Sequence, residues 1–297
     1  MRDRLLSALT QLPDALAKDL SPILRRPEFD ASLSANEMAT LCQNHQMNEA
    51  DMALALLPLA AAYAMPAISQ FYVGAIAKGG SGHFYFGANL EFAHVSLAHT
   101  VHAEQSAISH AWLRGETTLS AIYINYSPCG HCRQFINELN GAEQITITLP
   151  KQPTRAFHDY LPDAFGPSDL NISEPLLAPK DNALTPEMTA AHPLYEAALA
   201  AANQSHAPYS HNYAGIACLL DNGQIFTGRY AENAAFNPSL PPLQVALNLI
   251  NLADCSWHQI KEVYFVEKQG ISNQLSHDMQ TLCSQVAPQA QFHYHAL

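Results

Sequence analysis

Charge is scarce in this 297-residue chain: Asp, Glu, Lys and Arg together make up only 13 % of it, where a soluble protein usually has about a quarter. Basic residues are scarcer still, 14 against 26 acidic ones, for a net charge of −12. No Lys/Arg run exists, and the densest basic spots are "RDR" at 2–4 and "RR" at 25–26. A chain this acidic repels polyphosphate, which excludes non-specific nucleic-acid binding from the expected functions. A surface poor in charge also points to burial against another subunit.

Long apolar runs are missing as well. "ALALLPLAAAYAM" at 53–65 comes closest, but it falls short of the ~20 residues that a membrane span needs, and Pro58 interrupts it. The first twenty residues read as amphipathic helix broken by Pro13, with no signal-peptide pattern. No membrane partner and a cytoplasmic location are expected. Six cysteines stand at 42, 129, 132, 218, 255 and 283. Four are scattered singly among apolar neighbours, where free cysteine behaves as a small hydrophobe. The close pair Cys129/Cys132 in a cytosolic chain reads as a metal or redox site rather than a structural disulfide. A second CxxC is absent, which disfavours a structural zinc ribbon.

What is present falls into segments. Residues 1–48 read as helical, with a capping box at Ser34 and Glu37. From about 50 the pattern becomes helix (50–63), strand "FYVGAIA" (71–77), strand "HFYFGA" (83–88), helix (101–114), strand "SAIYIN" (120–125), helix (130–140) and strand "QITITL" (144–149). Strands alternating with helices argue for an α/β layered sheet. "KGGSG" between the first two strands is read as a hairpin turn, because a strand and not a helix follows it. Residues 151–186 are rich in proline and read as an ordered linker.

After the linker the pattern returns. With a shift of 141 residues Ser69 falls on Ser210, Tyr72 on Tyr213, Gly74 on Gly215, Gly87 on Gly228, Glu91 on Glu232 and Tyr123 on Tyr264. Glycines and turns at matched offsets are what a duplicated backbone retains. The expected division is 1–48 helical segment, 49–150 catalytic domain, 151–186 linker and 187–297 non-catalytic copy. In that copy, with one gap, Pro242 stands opposite His102 and Gln244 opposite Glu104, and "VEKQGISN" at 266–273 replaces "NYSPCGHC".

The chemistry gathers in the first copy. A CxxC at a helix start places two sulfurs on one side, and soft sulfur suits zinc. His102 can add a nitrogen. Three protein ligands leave a fourth tetrahedral position for water, as in catalytic zinc sites. Glu104, two residues past His102, can act as general acid/base without binding the metal. His102-Ala103-Glu104 and Pro128-Cys129-Gly130-His131-Cys132 form the H-x-E…P-C-x-x-C pattern of zinc deaminases.

On these residues, and on "FGANLEF", "TVHAEQSAISHAWL", "DYLPDAFGP" and "YAENAAFNPSLPPLQ", the chain resembles the cytidine deaminase family in its long two-domain form. The resemblance implies a three-layer α/β/α core, duplicated within the chain, with one Zn2+ per chain held by His102, Cys129 and Cys132. It implies hydrolytic deamination of cytidine and deoxycytidine to uridine and deoxyuridine, in pyrimidine salvage. It also implies a homodimer with its active site near the subunit interface. Asn89 and Glu91 would bind the ribose hydroxyls, Phe71 would pack on the pyrimidine, and the N–H of Ala103 would meet the ring O2. Phe165 would reach a neighbouring subunit's site.

Other readings stand beside these. A deaminase of a cytosine nucleotide or polynucleotide needs positive charge near the site, and only Arg133 is there. A non-catalytic zinc module would want a fourth protein ligand. Glu91 also reads as a residue serving the fold, since its counterpart Glu232 persists in the copy without chemistry, whereas Phe71 faces Asn212 there. His110 and His131 complete no better metal shell, and Arg133 is left unassigned between tuning the thiolates and pairing with Glu138.

Overall fold

The computed structural model describes residues 2–186, 192–270 and 272–297. The chain forms two compact units. One comprises the residues up to Glu91, Thr100–Ala164 and Leu252–Asp254; the other comprises Phe92–His99, Phe165–Asn251 and Cys255–Leu297. The expected 186/187 boundary adjoins residues 187–191, which lie outside the described residues.

The first unit runs α1 (Arg2–Leu9), α2 (Asp14–Leu24), β1 (Ser32–Leu33), α3 (Ala35–His45), α4 (Glu49–Ala61), β2 (Gly74–Gly79), β3 (Phe84–Ala88), α5 (Ala103–Leu113), β4 (Leu119–Ile124), α6 (Gly130–Ile136), β5 (Thr146–Thr148) and β6 (Arg155–Ala156). Its sheet has the order β1-β3-β2-β4-β5-β6, with β4–β5 parallel and the other pairs antiparallel. The capping box forms at α3, where Ser34 Oγ accepts from Glu37 N at 3.2 Å and Glu37 Oε2 from Ser34 N at 2.8 Å. "KGGSG" is the turn of the β2–β3 hairpin, with Gly82 at φ +86°.

Two features were not legible beforehand. β1 adds a strand to the sheet by pairing Ser32 with Tyr85 and Leu33 with Phe84. The helices before it share the sheet's core, since Leu5, Leu16, Leu20, Met38 and Leu41 pack in one cluster with Ile76, Phe84, Phe86 and Tyr123. In addition, β2 starts at Gly74 and not at Phe71. The backbone just before it is bonded to a side chain instead of a strand: Val73 N donates to Asn89 Oδ1 at 2.9 Å, and Asn89 Nδ2 donates to the Phe71 carbonyl at 2.9 Å.

Glycine parity reveals the layers. Gly74 pairs with Ala88, and Ala75 with Gly87. Paired residues share a face and successive residues alternate, so Gly74 and Gly87 point to opposite faces. A Cβ at Gly74 would meet α4 backbone, 2.8 Å from Leu57 O and 2.9 Å from Ala61 Cα. A Cβ at Gly87 would meet α5, 2.6 Å from Ala107 Cα and 2.7 Å from Ala103 O. One helix therefore lies tight on each face, giving the α/β/α sandwich.

The second unit runs α7 (Pro193–Asn203), β7 (Ala214–Leu220), β8 (Ile225–Arg229), α8 (Pro242–Leu252), β9 (Ile260–Glu267), α9 (Ser276–Val286) and β10 (Gln291–Ala296), with sheet order β10-β9-β7-β8. It repeats the first unit register for register. Ala75↔Gly87 becomes Ile216↔Gly228, Ala77↔Ile122 becomes Cys218↔Val263, and the bulge at Lys78/Gly79 recurs at Leu219/Leu220. Every one of these positions is offset by 141.

The offset breaks at β10, where Tyr123↔Thr148 becomes Tyr264↔His293, a shift of 145 on the second strand, and again in the loop after β3. Leu90 bridges Val101, whereas Ala231 bridges Leu240, and Gly87 abuts Ala103 and Ala107 where Gly228 abuts Pro242 and Ala246. The shift there is 139. Pro241 therefore stands opposite His102, and Leu243 opposite Glu104, one residue from the expected Pro242 and Gln244. The copy's loop is two residues shorter, and neither alignment restores a ligand or a carboxylate.

Forcing extra volume into such a contact costs about 1–3 kcal/mol. Gly87→Ala should lower unfolding free energy in urea by that amount. Gly130→Ala, with nothing within 4 Å of the added Cβ, should change it by less than about 0.5 kcal/mol. An unchanged urea midpoint in Gly87→Ala would show that α5 can shift at no cost.

Candidate active site

The site is built on the N-terminal ends of two helices. In α5 every residue from Ala103 to Trp112 is buried, so its polar side chains need internal partners. They find them in the sheet and in the helix itself: Ser106 Oγ accepts from Ala88 N at 3.0 Å, Ser109 Oγ donates to the Ser106 carbonyl at 3.1 Å, and His110 Nδ1 donates to the Phe86 carbonyl at 3.1 Å. His110 thus fastens α5 to β3, and burial lowers its pKa to about 4. His102 is the N-cap residue of α5, with its N–H donating to Gln105 Oε1 at 3.2 Å. Cys129 is the N-cap residue of α6, and Cys132 lies one turn on.

These positions converge. His102 Nδ1 lies 3.4 Å from Cys129 Sγ and 3.3 Å from Cys132 Sγ, and the two sulfurs are 3.6 Å apart. A tetrahedral zinc with bonds of about 2.3 Å to sulfur and 2.0–2.1 Å to nitrogen would set S···N near ~3.6 Å and S···S near ~3.8 Å. The triangle fits that ion. Among the described residues these three form the one group of His, Cys, Asp and Glu close enough to hold a metal. Hydrogen bonds from Cys132 and then His102 pull the Cys129 thiol down to about 3, while burial holds Cys132 well above its usual range. For His102, burial acts to lower the pKa, but the Cys129 sulfur and Glu104 outweigh it and raise the value. His131 stacks on the His102 ring at 4.5 Å and 18° and brings no donor to the cluster.

A cavity of about 450 Å³ opens beside the triangle, lined by residues that include Phe71, Asn89, Glu91, Ala103, Glu104 and Tyr126, with His102 and Cys129 in its wall. Glu104 is 4 % exposed. Burial raises its pKa, against hydrogen bonds from its own backbone and from Cys132. A carboxyl that holds a proton more readily than usual, at the wall of a cavity beside three metal donors, is suited to proton transfer.

The remaining candidates occupy the cavity in different ways. Ala103 is the first residue of α5, so its N–H has no acceptor within the helix. Phe71 is 47 % exposed, which rules out a core role, and its ring lies 4.4 Å from that of Tyr126. Asn89 uses its amide to clamp Phe71 and Val73. Glu91 accepts from the N–H groups of Ile68 and Ser69, each at 2.8 Å, and from the Ser69 hydroxyl. Glu232 repeats the clamp in the second unit with Tyr209 N at 2.9 Å, Ser210 N at 3.1 Å and the Ser210 hydroxyl, so this glutamate shapes the loop in both copies. Phe165 is 49 % exposed and does not line the cavity.

Tyr126, Thr100 and Ser127 line the cavity but were not among the candidates. A signal for Tyr126 did exist. Its counterpart at the 141 offset is Glu267, and that of Phe71 is Asn212. The facing aromatic pair of the first copy is replaced in the second by a hydrogen bond, Asn212 Nδ2 to Glu267 Oε2 at 3.0 Å.

Two regions of the chain match family models, both described as the cytidine and deoxycytidylate deaminase zinc-binding region: residues 47–148 and residues 157–281. Curated relatives include a cytidine deaminase of Photobacterium profundum, 48 % identical over 97 % of each chain. Another, from Vibrio vulnificus, is 51 % identical over 90 % of each chain. Among solved structures, a cytidine deaminase from Mycobacterium tuberculosis is 34 % identical and covers 39 % of this chain with 96 % of its own, at a TM-score of 0.36.

For Glu91, burial would raise the pKa, but the Ser69 hydroxyl and the two N–H donors lower it below the ordinary value. A depressed folded-state pKa contributes stability that is present above the unfolded value of about 4.3 and is lost as pH falls through the folded one. Glu91→Gln should therefore lower the thermal midpoint at pH 7, and the deficit should be smaller at pH 3. An equal deficit at both pH values would mean that the carboxylate charge contributes nothing.

Proposed function

We propose, since this chain belongs to the cytidine and deoxycytidylate deaminase family, that it hydrolyses cytidine and deoxycytidine to uridine and deoxyuridine with release of ammonia. The observation that carries the reading is the buried Glu104 carboxyl in the wall of a cavity that also reaches His102 and Cys129 of the His102–Cys129–Cys132 triangle. Those three residues are assigned as zinc ligands. Zinc, when bound, supplies the Lewis acidity that brings the pKa of water from 15.7 toward ~7.

The chain's own residues do the rest. Glu104 takes the proton that water loses as its oxygen bonds to C4, and delivers that proton to N3 of the ring. It then takes the proton of the new C4 hydroxyl and passes it to the amine, the C4–N bond breaks, and ammonia leaves with C4 as a carbonyl. Its raised pKa suits a group that must both accept and release a proton. The Ala103 N–H is assigned to the ring O2, Phe71 to the pyrimidine face, and Asn89 and Glu91 to the ribose hydroxyls, with the lone pairs and N–H that their clamps leave over.

A nucleoside is favoured over a nucleotide because the cavity lining contains no Lys or Arg. A non-catalytic zinc module is disfavoured because a structural site takes four protein donors, and the group has three among the described residues. The proposal extends to a cytoplasmic homodimer working in pyrimidine salvage, with Phe165 reaching a neighbouring subunit's site. It keeps the division into 1–48, 49–150, 151–186 and 187–297. Exposed Phe165 and Phe236 are apolar side chains that a partner subunit would cover.

Glu104→Ala should retain one zinc per chain and lose at least ~10²-fold in kcat, followed by the ultraviolet change of cytidine. Cys129→Ala should lose the zinc itself. Full turnover by Glu104→Ala, or faster turnover of dCMP than of cytidine by the unaltered chain, would sink the reading.

A further inference from the structure

Arg133 follows the last donor of the triangle and has no part in the chemistry assigned above. It nevertheless makes three hydrogen bonds. Nε donates to the Pro128 carbonyl at 2.8 Å, Nη1 to the Tyr160 carbonyl at 3.1 Å and Nη2 to Ser127 Oγ at 3.4 Å. The guanidinium also lies over the Tyr160 ring, 5.6 Å from its centroid. All three bonds go to oxygen. The alternative of a thiolate partner, left open by the sequence, does not match this arrangement, and no Arg133–Glu138 ion pair is seen among the described residues.

The three acceptors have a common effect. Ser127 lines the cavity, Pro128 precedes Cys129, and Tyr160 closes the turn after β6. The Cys129 N-cap conformation, φ −71° and ψ 170°, is set by the loop that Arg133 holds at both Ser127 and Pro128. One planar fork thereby fixes the direction from which the chain enters α6, and with it the position of the Cys129 sulfur relative to Cys132 and His102. Lysine could not replace it, because a single ammonium on a flexible stem cannot span three oxygens in one plane.

We propose that Arg133 is a positioning residue for the metal shell: it holds the 127–129 loop so that the Cys129 sulfur completes the donor triangle, without touching the metal, the substrate or a thiolate. The inference rests on the zinc-ligand reading above. Groups that orient metal ligands typically govern 10–100-fold in metal affinity.

The test is zinc release from the full-length, zinc-loaded chain to a chromogenic chelator, alongside urea unfolding of the zinc-free protein. Arg133→Gln should release zinc about 10-fold faster or more, with Arg133→Lys between it and the unaltered chain. Ser127→Ala, which removes only the longest bond, should change release less than 3-fold. The urea midpoint of the zinc-free variant should stay close to that of the unaltered zinc-free chain. Where Arg133→Gln does not fold, Arg133→Lys carries the comparison. Release at the unaltered rate overturns the proposal, and so does faster release accompanied by a larger loss of zinc-free stability, which would mark general loosening. An unaltered chain that binds no zinc would instead overturn the zinc-ligand reading itself.

Discussion

The close seating of α5 on the sheet is the constraint on which the site depends. Gly87 leaves no side chain between β3 and the helix, and the backbone of Ala103 and Ala107 fills the space that a Cβ would occupy. The Ser106 and His110 bonds then fix rotation and slide. With those freedoms gone, the positions of His102 and Glu104 follow from core packing and not from the conformation of a loop. The sulfurs sit three residues apart at one helix end, Cys132 within α6 and Cys129 at its N-cap. Rigid elements hold donor geometry more closely than loops do, and the triangle of 3.3–3.6 Å edges is the result.

The duplication separates what the fold requires from what the chemistry requires. Both copies keep the paired glycines, the bulge, the turn glycines at 82 and 223 and the Glu–Ser clamp. These are backbone devices, and each copy needs them to close its sandwich. The second copy drops the imidazole, both sulfurs, the buried carboxylate and the aromatic pair. Where the first copy exposes Phe71 and Tyr126 to a cavity, the second buries Asn212 and Glu267 in mutual contact. Glu91 is therefore a structural residue before it is anything else, although its carboxylate also lines the cavity.

Much of this was legible in the sequence because it is local. Turn glycines, the Ser34 capping box, the H-x-E and PCxxC spacings and the 141-residue repeat all lie within short windows. What could not be read depends on contacts between distant residues. β1 is two residues long and exists only by pairing with β3, more than fifty residues on. The N-terminal helices look like a separate segment until their leucines are seen packed against Ile76 and Phe86. The start of β2 moved because Asn89 captures the backbone at Phe71 and Val73. The alignment slip from 139 to 140 came from placing one gap where the structure removes two residues, in a loop whose length no local pattern fixes. Arg133 was ambiguous for the same reason: two of its partners are close in sequence, but the third, Tyr160, belongs to the segment read only as a linker.

The shortage of positive charge takes on a meaning at the site. Glu104 is buried beside two cysteines, and that burial is why its carboxyl holds a proton more readily than usual. The cavity lining contains no Lys or Arg to oppose it. Arg133, which directly follows Cys132, donates instead to oxygens of the surrounding loops. The remaining electrophile is then the metal that the sulfurs and imidazole are spaced to hold, while the carboxyl stays free to shuttle protons. A phosphate group brought to this lining would meet carboxylates with no compensating cation, whereas an uncharged nucleoside would not. The shortage of basic residues seen across the chain is thus repeated in the cavity lining, which offers a phosphate no Lys or Arg partner.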